Sequence, residues 1–462
     1  MTEQRFVEVA VDAPGVAGGR LYTYAVPVSL RDIVPGEAVL VEFGRRQAVG
    51  VVLDDAPSPP VEAKPLQARV RSDGALLGSL WRRLARHVAE HYLAPPGLVV
   101  RAMLPPGTLE RIELYALPLP GLEAAGDDLL VAVAAGGETG VPVEGLPPAA
   151  SRATLLRALR AHEADGALRL EWRVVPPASK PKRVRWAALT EAGRAASRLS
   201  GQGGRPKGRP LGPKQRALLA ELAEPGHEGA EAAARLAERF GSSAVSGLAK
   251  RELLEFEIRA QARRPLAGRA EPTRGARPAG SELDVEQAAA FAAVREGIDA
   301  GRGETILLEG DTASGKTAVY AEAIAHALAA GRGALVLVPE IALATPLIDR
   351  LRHDLGTEPA TLHSALGEGE RADEWRRIRR GDARVVVGTR MAVLSPPEPL
   401  GLVIVDEEHD PAYKSDRTPR YQGRDVAVAL GRLAQVPVVL GSATPDIVSV
   451  GRARAGEARH LR

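Results

Sequence analysis

The final part of the chain is written in short apolar runs, each ending in a polar or glycine-rich turn. Thr305–Leu308, Ala334–Val338, Val385–Val387, Leu402–Val405 and Val438–Leu440 are such runs, and Ala318–Ala330 is a stretch of strong helix formers between the first two. Apolar strands without polar alternation, separated by helices, predict a parallel sheet covered on both faces. Ligands bind such sheets at the carboxyl ends of the strands, so the turns should carry the chemistry. Residues 1–70 have a different rhythm. Phe6–Val11, Leu21–Val26, Ala38–Phe43 and Ala48–Leu53 predict short strands, punctuated by Gly18-Gly19, Pro35-Gly36 and Phe43-Gly44-Arg45-Arg46. That pattern fits a small β-barrel.

Further along, Leu77–Tyr92 is helical, with Leu80, Leu84, His87, Val88 and Tyr92 on roughly one side. Residues 108–200 are the least patterned: Glu110–Leu117 and Leu168–Val175 predict strands, and Ser151–His162 a helix. Ser179–Trp186 is basic and carries a tryptophan, so it fits a phosphate-following strand, an exposed strand or a linker. Lys214–Ala223, Gly229–Phe240 and Ala244–Arg251 predict three helices, and Leu254–Arg259 a strand after them. Three short helices and a wing fit a winged-helix module, which binds DNA or protein. Gly201–Pro213 and Pro265–Gly280 read as linkers. The expected division is 1–105, 106–212, 213–264, a linker at 265–280, and a P-loop lobe at 281–462.

Composition narrows the classes without choosing one. The length of 462 residues suits about three domains. Sixty-one basic residues face 58 acidic ones, so only local patches can argue for nucleic acid. There is no cysteine, which excludes disulfides and a thiolate zinc site. Four Trp, seven Tyr and five Phe leave few base-stacking platforms. No apolar run is long enough to span a bilayer and no signal-peptide pattern opens the chain, so a soluble, cytoplasmic protein is expected.

The turns supply the chemistry. Gly310-x-x-x-x-Gly315-Lys316-Thr317 stands between a strand and a helix, the setting a phosphate-binding loop requires. Gly310 and Gly315 let backbone N–H groups turn toward phosphate, Lys316 would reach the β- and γ-phosphates, and Thr317 would hold Mg²⁺. Leu402–Val405 delivers Asp406-Glu407-Glu408-His409 to a strand end. There Asp406 can hold Mg²⁺ and Glu407 can polarise an attacking water. A third strand end carries Gly441-Ser442-Ala443-Thr444-Pro445. Three strand ends on one nucleotide predict an ATPase lobe. Gln287 stands at the start of the lobe's first helix, either reading the adenine edge or as an ordinary surface residue. Tyr22 and Tyr24 share one strand face, where core packing and base stacking compete. Arg45 and Arg46 suit a phosphate contact or a solvated hairpin tip equally well.

The order of GDTASGKTAVY, LVPEIALATP, LHSAL, VVVGTRMAV, VIVDEEHDPAYKSDRTPRYQGRDVAV and GSATP resembles the PriA family of replication-restart helicases. The run from DEEH through PRYQGRD is the most specific part, and VEFGRRQAVGVV extends the likeness to the N-terminal module. The resemblance implies a RecA-like superfamily 2 lobe, 3′-to-5′ unwinding of stalled or forked DNA, and help in reloading the replicative helicase. ATP and Mg²⁺ are the implied cofactors, with Lys316, Asp406, Glu407 and His409 catalytic and Ser442, Ala443 and Thr444 coupling. Implied DNA contacts are Tyr22, Tyr24, Gly36, Arg45, Thr389, Arg390, Tyr413, Lys414, Arg420 and Tyr421. Tyr413–Tyr421 would be an aromatic-rich coupling loop, followed by Arg424 and Asp425. Implied partners are forked or single-stranded DNA, primosome proteins and single-strand-binding protein.

Several features depart from the family pattern. Tyr22-Thr23-Tyr24 replaces a Phe-Asp-Tyr-like triplet, removing a carboxylate that would accept the terminal 3′-hydroxyl. Asp311 and Ala313 stand where a small apolar residue and glycine are usual, which should reduce nucleotide affinity. The family's second lobe and zinc subdomain would follow Arg462, and no cysteine is present to hold zinc. An arginine from a second lobe is worth roughly 10³–10⁵ in rate in related NTPases. A fragment or truncated product that binds ATP and DNA but turns over slowly is therefore expected. The alternative is a non-catalytic fork-binding platform that recruits primosome proteins.

Overall fold

The computed structural model describes residues 4–13, 16, 20–44, 46–57, 59, 62–71, 73–109, 111–122, 126–147, 149, 151–175, 182–201, 210–224, 229–266, 283–311 and 314–462. Gly18-Gly19, Arg45, Ala313 and much of both linkers lie outside them. The chain divides into two units, one formed by Met1–Ser179 with Pro265–Arg462 and the other by Lys180–Arg264.

In the first unit, β1 (Phe6–Asp12), β2 (Tyr22–Ala25), β3 (Ala38–Phe43), β4 (Arg46–Ala56) and β5 (Ala68–Arg69) form an antiparallel sheet in the order β2-β1-β4-β3-β5. Its two edges approach each other: Ala25 N donates to Lys64 O at 3.0 Å and Leu66 N to Ala25 O at 2.9 Å. Val7, Val9, Val39, Val41, Val52 and Tyr24 fill one side. The alternate residues Ala10, Ala38, Val51 and Leu53 face helices α1 (Ser79–His91) and α2 (Pro96–Met103). This is the two-residue period of a sheet with both faces covered.

Next come β6 (Arg111–Pro118), α3 (Asp128–Ala135), β7 (Val141–Pro142), α4 (Arg152–Ala164) and β8 (Leu168–Val175), with a β7-β6-β8 sheet. Ser151 caps α4 by accepting from Thr154 N at 3.1 Å.

The second unit holds β9 (Lys182–Leu189), α5 (Glu191–Gly201), α6 (Pro213–Leu222), β10 (Ala230–Ala232), α7 (Ala233–Phe240), α8 (Ser242–Ala249) and β11 (Leu254–Gln261). The basic Trp186 segment is the central strand β9, between β10 and β11. One correction concerns Gly229–Phe240, expected as a single helix. Ala230–Ala232 instead pairs with β9, Ala230 opposite Ala188 and Ala232 opposite Trp186, and the helix begins only at Ala233. An open strand edge outweighs the helix propensity of Ala230-Glu231-Ala232.

The nucleotide lobe returns to the first unit. Its elements are α9 (Val285–Ala300), β12 (Thr305–Glu309), α10 (Lys316–Ala329), β13 (Gly333–Leu337), α11 (Thr345–Asp354), β14 (Ala360–Leu362), α12 (Glu368–Arg380), β15 (Val385–Gly388), β16 (Leu400–Asp406), α13 (Gly423–Ala434), β17 (Val438–Ser442), α14 (Ile447–Arg454) and β18 (Arg459–Leu461). The strands form one sheet, β14-β15-β13-β16-β17-β12-β18, with every pairing parallel. Strand β17 lies between β12 and β16, with Ser442 opposite Glu309 and Gly441 opposite Asp406. The start of the phosphate loop and Asp406 are therefore two strand spacings apart, about 10 Å.

The α1 and α2 side of the N-terminal module and the α13 side of the lobe share one core, in which Leu84 and Val88 join Tyr421, Val426 and Leu430. Trp81 donates its indole N–H to Pro396 O at 2.9 Å and meets Trp375 edge-on, with ring centroids 6.0 Å apart. Arg379 donates to Ala75 O at 2.8 Å. Within this unit the two modules are packed as one body.

Candidate functional site

The loop after β12 closes on itself. Gly315 holds φ at +85° and caps α10, a conformation that L side chains rarely adopt. Lys316 Nζ donates to Gly310 O at 2.6 Å and to Asp311 O at 3.2 Å. The lysine thus rests on the backbone of its own loop, within reach of any phosphate that displaces those carbonyls. Gln287 donates its side-chain N–H to Ser314 O at 3.0 Å, and with Asp284 it forms the capping box of α9. It touches the phosphate loop directly.

Asp406 ends β16 beneath this loop. Its Oδ1 accepts from the Tyr320 hydroxyl at 2.9 Å, and its carbonyl accepts from the Tyr413 hydroxyl. Burial pushes the Asp406 carboxyl above the usual range; the Tyr320 bond opposes that, Glu407 adds to it, and Lys316 opposes it. Tyr320 is itself buried, and burial followed by the Asp406 charge raises its phenol well above the ordinary value. Thr317, Tyr320 and Asp406 line one cavity of about 20 Å³, with Leu343 and Leu347 on its apolar side.

The next three residues divide their work. Glu407 adopts φ +46°, and its side chain remains about one-third exposed. Glu408 turns inward and is 1% exposed; it accepts from Asp446 N at 2.6 Å and Ser449 Oγ at 2.8 Å and pairs with Arg424 at 3.1 Å. His409 Nδ1 lies 2.8 Å from Ser442 Oγ, and His409 Nε2 lies 3.5 Å from Thr444 Oγ1. Ser442 Oγ also accepts from Thr444 N at 3.0 Å, so β16 and β17 end in one hydrogen-bonded cluster. Ala443 lies between these two residues in the chain.

The loop from Pro411 to Gln422 departs from expectation. Tyr413 is fully buried and Tyr421 is 5% exposed, with its hydroxyl donating to Arg390 O at 3.2 Å. Neither ring presents a face on which a base could stack in this conformation, so both act from beneath the loop. Arg390 donates to Ala412 O at 3.0 Å and Asp416 at 2.9 Å, and Lys414 to Arg420 O at 2.9 Å. Arg420, Lys414 and Arg417 are exposed. Thr389 N donates to Leu362 O at 3.0 Å at the end of β15.

In the N-terminal module Tyr24 is 4% exposed and donates to Glu42 O at 3.0 Å. Burial pushes its phenol up to about 12. It is a core residue, not a stacking platform, because its ring closes the valine layer of the sheet. Tyr22 is half-buried and meets Phe43 edge-on at 5.0 Å. Gly36 holds φ at +101°, and a Cβ there would overlap Leu77 O, so this glycine is required by packing. Arg46 is exposed at the start of β4, while Arg45 lies outside the described residues.

Two family models match this chain. Residues 285–452 match the DEAD/DEAH box helicase family, and residues 8–105 match the 3′DNA-binding domain (3′BD) of PriA. The replication restart protein PriA of Synechocystis sp. is 33% identical over 470 residues, an alignment covering 96% of this chain and 52% of that protein. The chain belongs to the PriA replication-restart family. The PriA of Bacillus subtilis is 45% identical over 174 residues, covering 38% of this chain and 22% of its own length, and that of Chlamydia pneumoniae is 41% identical over 181 residues, covering 39% and 24%. The chain thus spans about half the length of the Synechocystis PriA and aligns with less than a quarter of the other two.

A PriA helicase lobe implies ATP and Mg²⁺. The residues fit that metal: Thr317 and Asp406 bring hard oxygen ligands to one cavity, and Mg²⁺ is held in such sites by few protein oxygens plus phosphate. Among the described residues no cluster of His, Asp and Glu offers another metal site, and no helix is long and apolar enough to cross a membrane. Sequence reading did not single out Tyr320 as the partner of Asp406, nor the inward turn of Glu408. Tyr320 was visible one helical turn past Lys316, but only the fold shows that this turn faces Asp406.

Proposed function

We propose that the chain carries the ATP-binding lobe and the 3′-end-binding module of a 3′-to-5′ PriA-type DNA helicase acting on forked DNA. The convergence of β12, β16 and β17 at one sheet edge, which sets Lys316, Asp406 and the His409–Ser442 pair around one phosphate site, carries this reading. Lys316 leaves its loop carbonyls for the β- and γ-phosphates. Thr317 and Asp406 hold Mg²⁺, which would neutralise charge on the transferring phosphoryl group. Glu407 orients and deprotonates the attacking water. Gln287 sits where it can read the adenine edge, and Gly310 and Gly315 shape the phosphate cradle. His409 passes the state of the phosphates to Ser442, Ala443 and Thr444.

On the DNA side, exposed Lys414 and Arg420, with Thr389 and Arg390 near them, serve backbone phosphates. Among the described residues, Tyr22 and Arg46 are the accessible members of the N-terminal set. The bonded edges of the N-terminal sheet support its reading as a small barrel. The helices and β-sheet of Lys180–Arg264 support a winged-helix module. We read 1–105, 106–179, 180–264 and 281–462 as the working divisions, with the expected boundary at 212 moved to 180 because β9 pairs with both β10 and β11, in a cytoplasmic protein that meets primosome and single-strand-binding partners.

The test is ATP hydrolysis by this chain with and without a fork bearing a leading-strand 3′ end, beside Lys316→Ala. DNA-stimulated turnover abolished by Lys316→Ala is expected. Fork binding without turnover would replace the enzyme reading with that of a fork-recognition platform.

A further inference from the structure

The Pro411–Gln422 loop touches the nucleotide site at one end and the N-terminal module at the other. At the first end, the buried Tyr413 hydroxyl donates to the Asp406 carbonyl. At the second, the backbone N–H of Gln422 donates to Tyr92 Oη at 3.2 Å. Tyr92 is the residue that closes α1 of the N-terminal module, and Gln422 is the residue that opens α13. Lys414 Nζ lies over the Tyr92 ring, 5.9 Å from its centroid, a cation–π contact from the middle of the loop.

The loop between these ends is tied across itself. Ser415 N donates to Tyr421 O at 2.8 Å, and Lys414 pairs with Gln422 in a β-bridge. Arg390 holds Ala412 O and Asp416 while its own carbonyl accepts from Tyr421. From Tyr92 to Asp406, every step is a covalent or hydrogen-bonded one. Tyr92 is half-buried, and burial is the main cause that raises its phenol. Its hydroxyl is held in place as the acceptor of the Gln422 N–H.

We infer that Tyr92 is the positioning residue through which the N-terminal module sets the Pro411–Gln422 loop and, by way of Tyr413, the backbone at Asp406. DNA held on the N-terminal module then alters nucleotide affinity without touching the nucleotide. This rests on the nucleotide-site reading above. Two sites joined this way are coupled reciprocally, each ligand changing the other's affinity by the same factor.

The experiment uses the full chain. Binding of a fluorescent ADP with Mg²⁺ is titrated alone and with a saturating oligonucleotide carrying a free 3′-hydroxyl, and oligonucleotide binding is titrated with and without ADP. In the unmodified chain each ligand should shift the other's affinity by about fivefold or more, within the usual range for coupled sites. Tyr92→Phe keeps the ring beneath Lys414 and removes only the acceptor of the Gln422 N–H. In it the coupling factor should fall to within about twofold of unity, with each affinity measured alone nearly unchanged. Full coupling in Tyr92→Phe, or a lowered melting temperature with the coupling factor intact, overturns the inference. Binding of both ligands without coupling in the unmodified chain also overturns it and leaves the nucleotide site standing. Failure to bind ADP overturns both.

Discussion

Tyr320 Oη donates to Asp406 Oδ1 at 2.9 Å, and the space for that bond exists because the residue opposite Asp406 on β17 is Gly441. A Cβ on Gly441 would overlap the Tyr320 hydroxyl, with the ring carbon behind it at 3.0 Å. Three elements, α10, β16 and β17, thus depend on one missing methyl group. Gly441→Ala should destabilise the lobe by about 1–3 kcal/mol through overpacking, and Tyr320→Phe in the same chain should recover part of the loss. Contacting residues couple non-additively, so thermal unfolding of the two single variants and the double variant is the check. Strictly additive losses would show that the two residues do not share this space.

Asp406 also sets a pH dependence. Its folded-state carboxyl is raised above the ordinary value, chiefly by burial. A raised acid favours the folded state below its unfolded value and loses that contribution as pH rises through its folded value. At neutral pH the ionised Asp406 is therefore a stability cost borne at the candidate Mg²⁺ site. Asp406→Asn should raise the melting temperature of the ligand-free chain by a few degrees at pH 7. The gain should shrink toward zero below about pH 3, where the acid is protonated in both states. A gain that is flat across this range would assign the effect to something other than ionisation.

Much of this arrangement was legible because it repeats local rules. Thr305–Leu308 and Leu402–Val405 are too apolar for anything but buried parallel strands, and Gly315-Lys316-Thr317 at such a strand end has few other uses. The resemblance of DEEH through PRYQGRD added the nearby loop. What could not be read was direction. Glu407 and Glu408 are the same residue type, and only the left-handed backbone at Glu407 turns the second one inward. Tyr413 and Tyr421 read as DNA contacts because the resemblance implies an aromatic-rich coupling loop, whereas the shared core with α1 buries them. Ala230–Ala232 read as helix because the partner strand β9 lies far away in the sequence.

That difference of direction gives two adjacent glutamates opposite phenotypes. Glu408 is the acceptor for Asp446 N, Ser449 Oγ and the 6%-exposed Arg424. Arg424 keeps Asp425 at 3.3 Å and Asp446 at 3.4 Å, so Glu408→Ala chiefly strands Asp446 N and Ser449 Oγ and should lower stability by about 1–3 kcal/mol. Glu407 is partly exposed, and Glu407→Gln should leave the melting temperature within a degree or so while lowering ATP turnover by roughly 10²–10⁴. Chemical denaturation and single-turnover hydrolysis, run on both variants, separate the roles. Equal stability losses in the two would remove Glu407 as the candidate base.

The N-terminal module is held to the lobe by a cap from a distant part of the chain. Helix α1 begins at Ser79 after Gly78, which has no side chain with which to cap it. Glu398 takes that place, its Oε1 accepting from Leu80 N at 3.0 Å. A carboxylate there meets both an orphan N–H and the positive end of the helix dipole. Glu398→Ala should therefore lower stability by about 0.5–2 kcal/mol, the usual loss for an N-cap, and Glu398→Gln by less. Because the cap joins the two modules, hydrogen exchange at Leu80 and in the first turn of α1 should speed up in Glu398→Ala. Exchange in α10 should be unchanged, and acceleration spread evenly over both helices would mean that Glu398 supports the fold in general and not this junction.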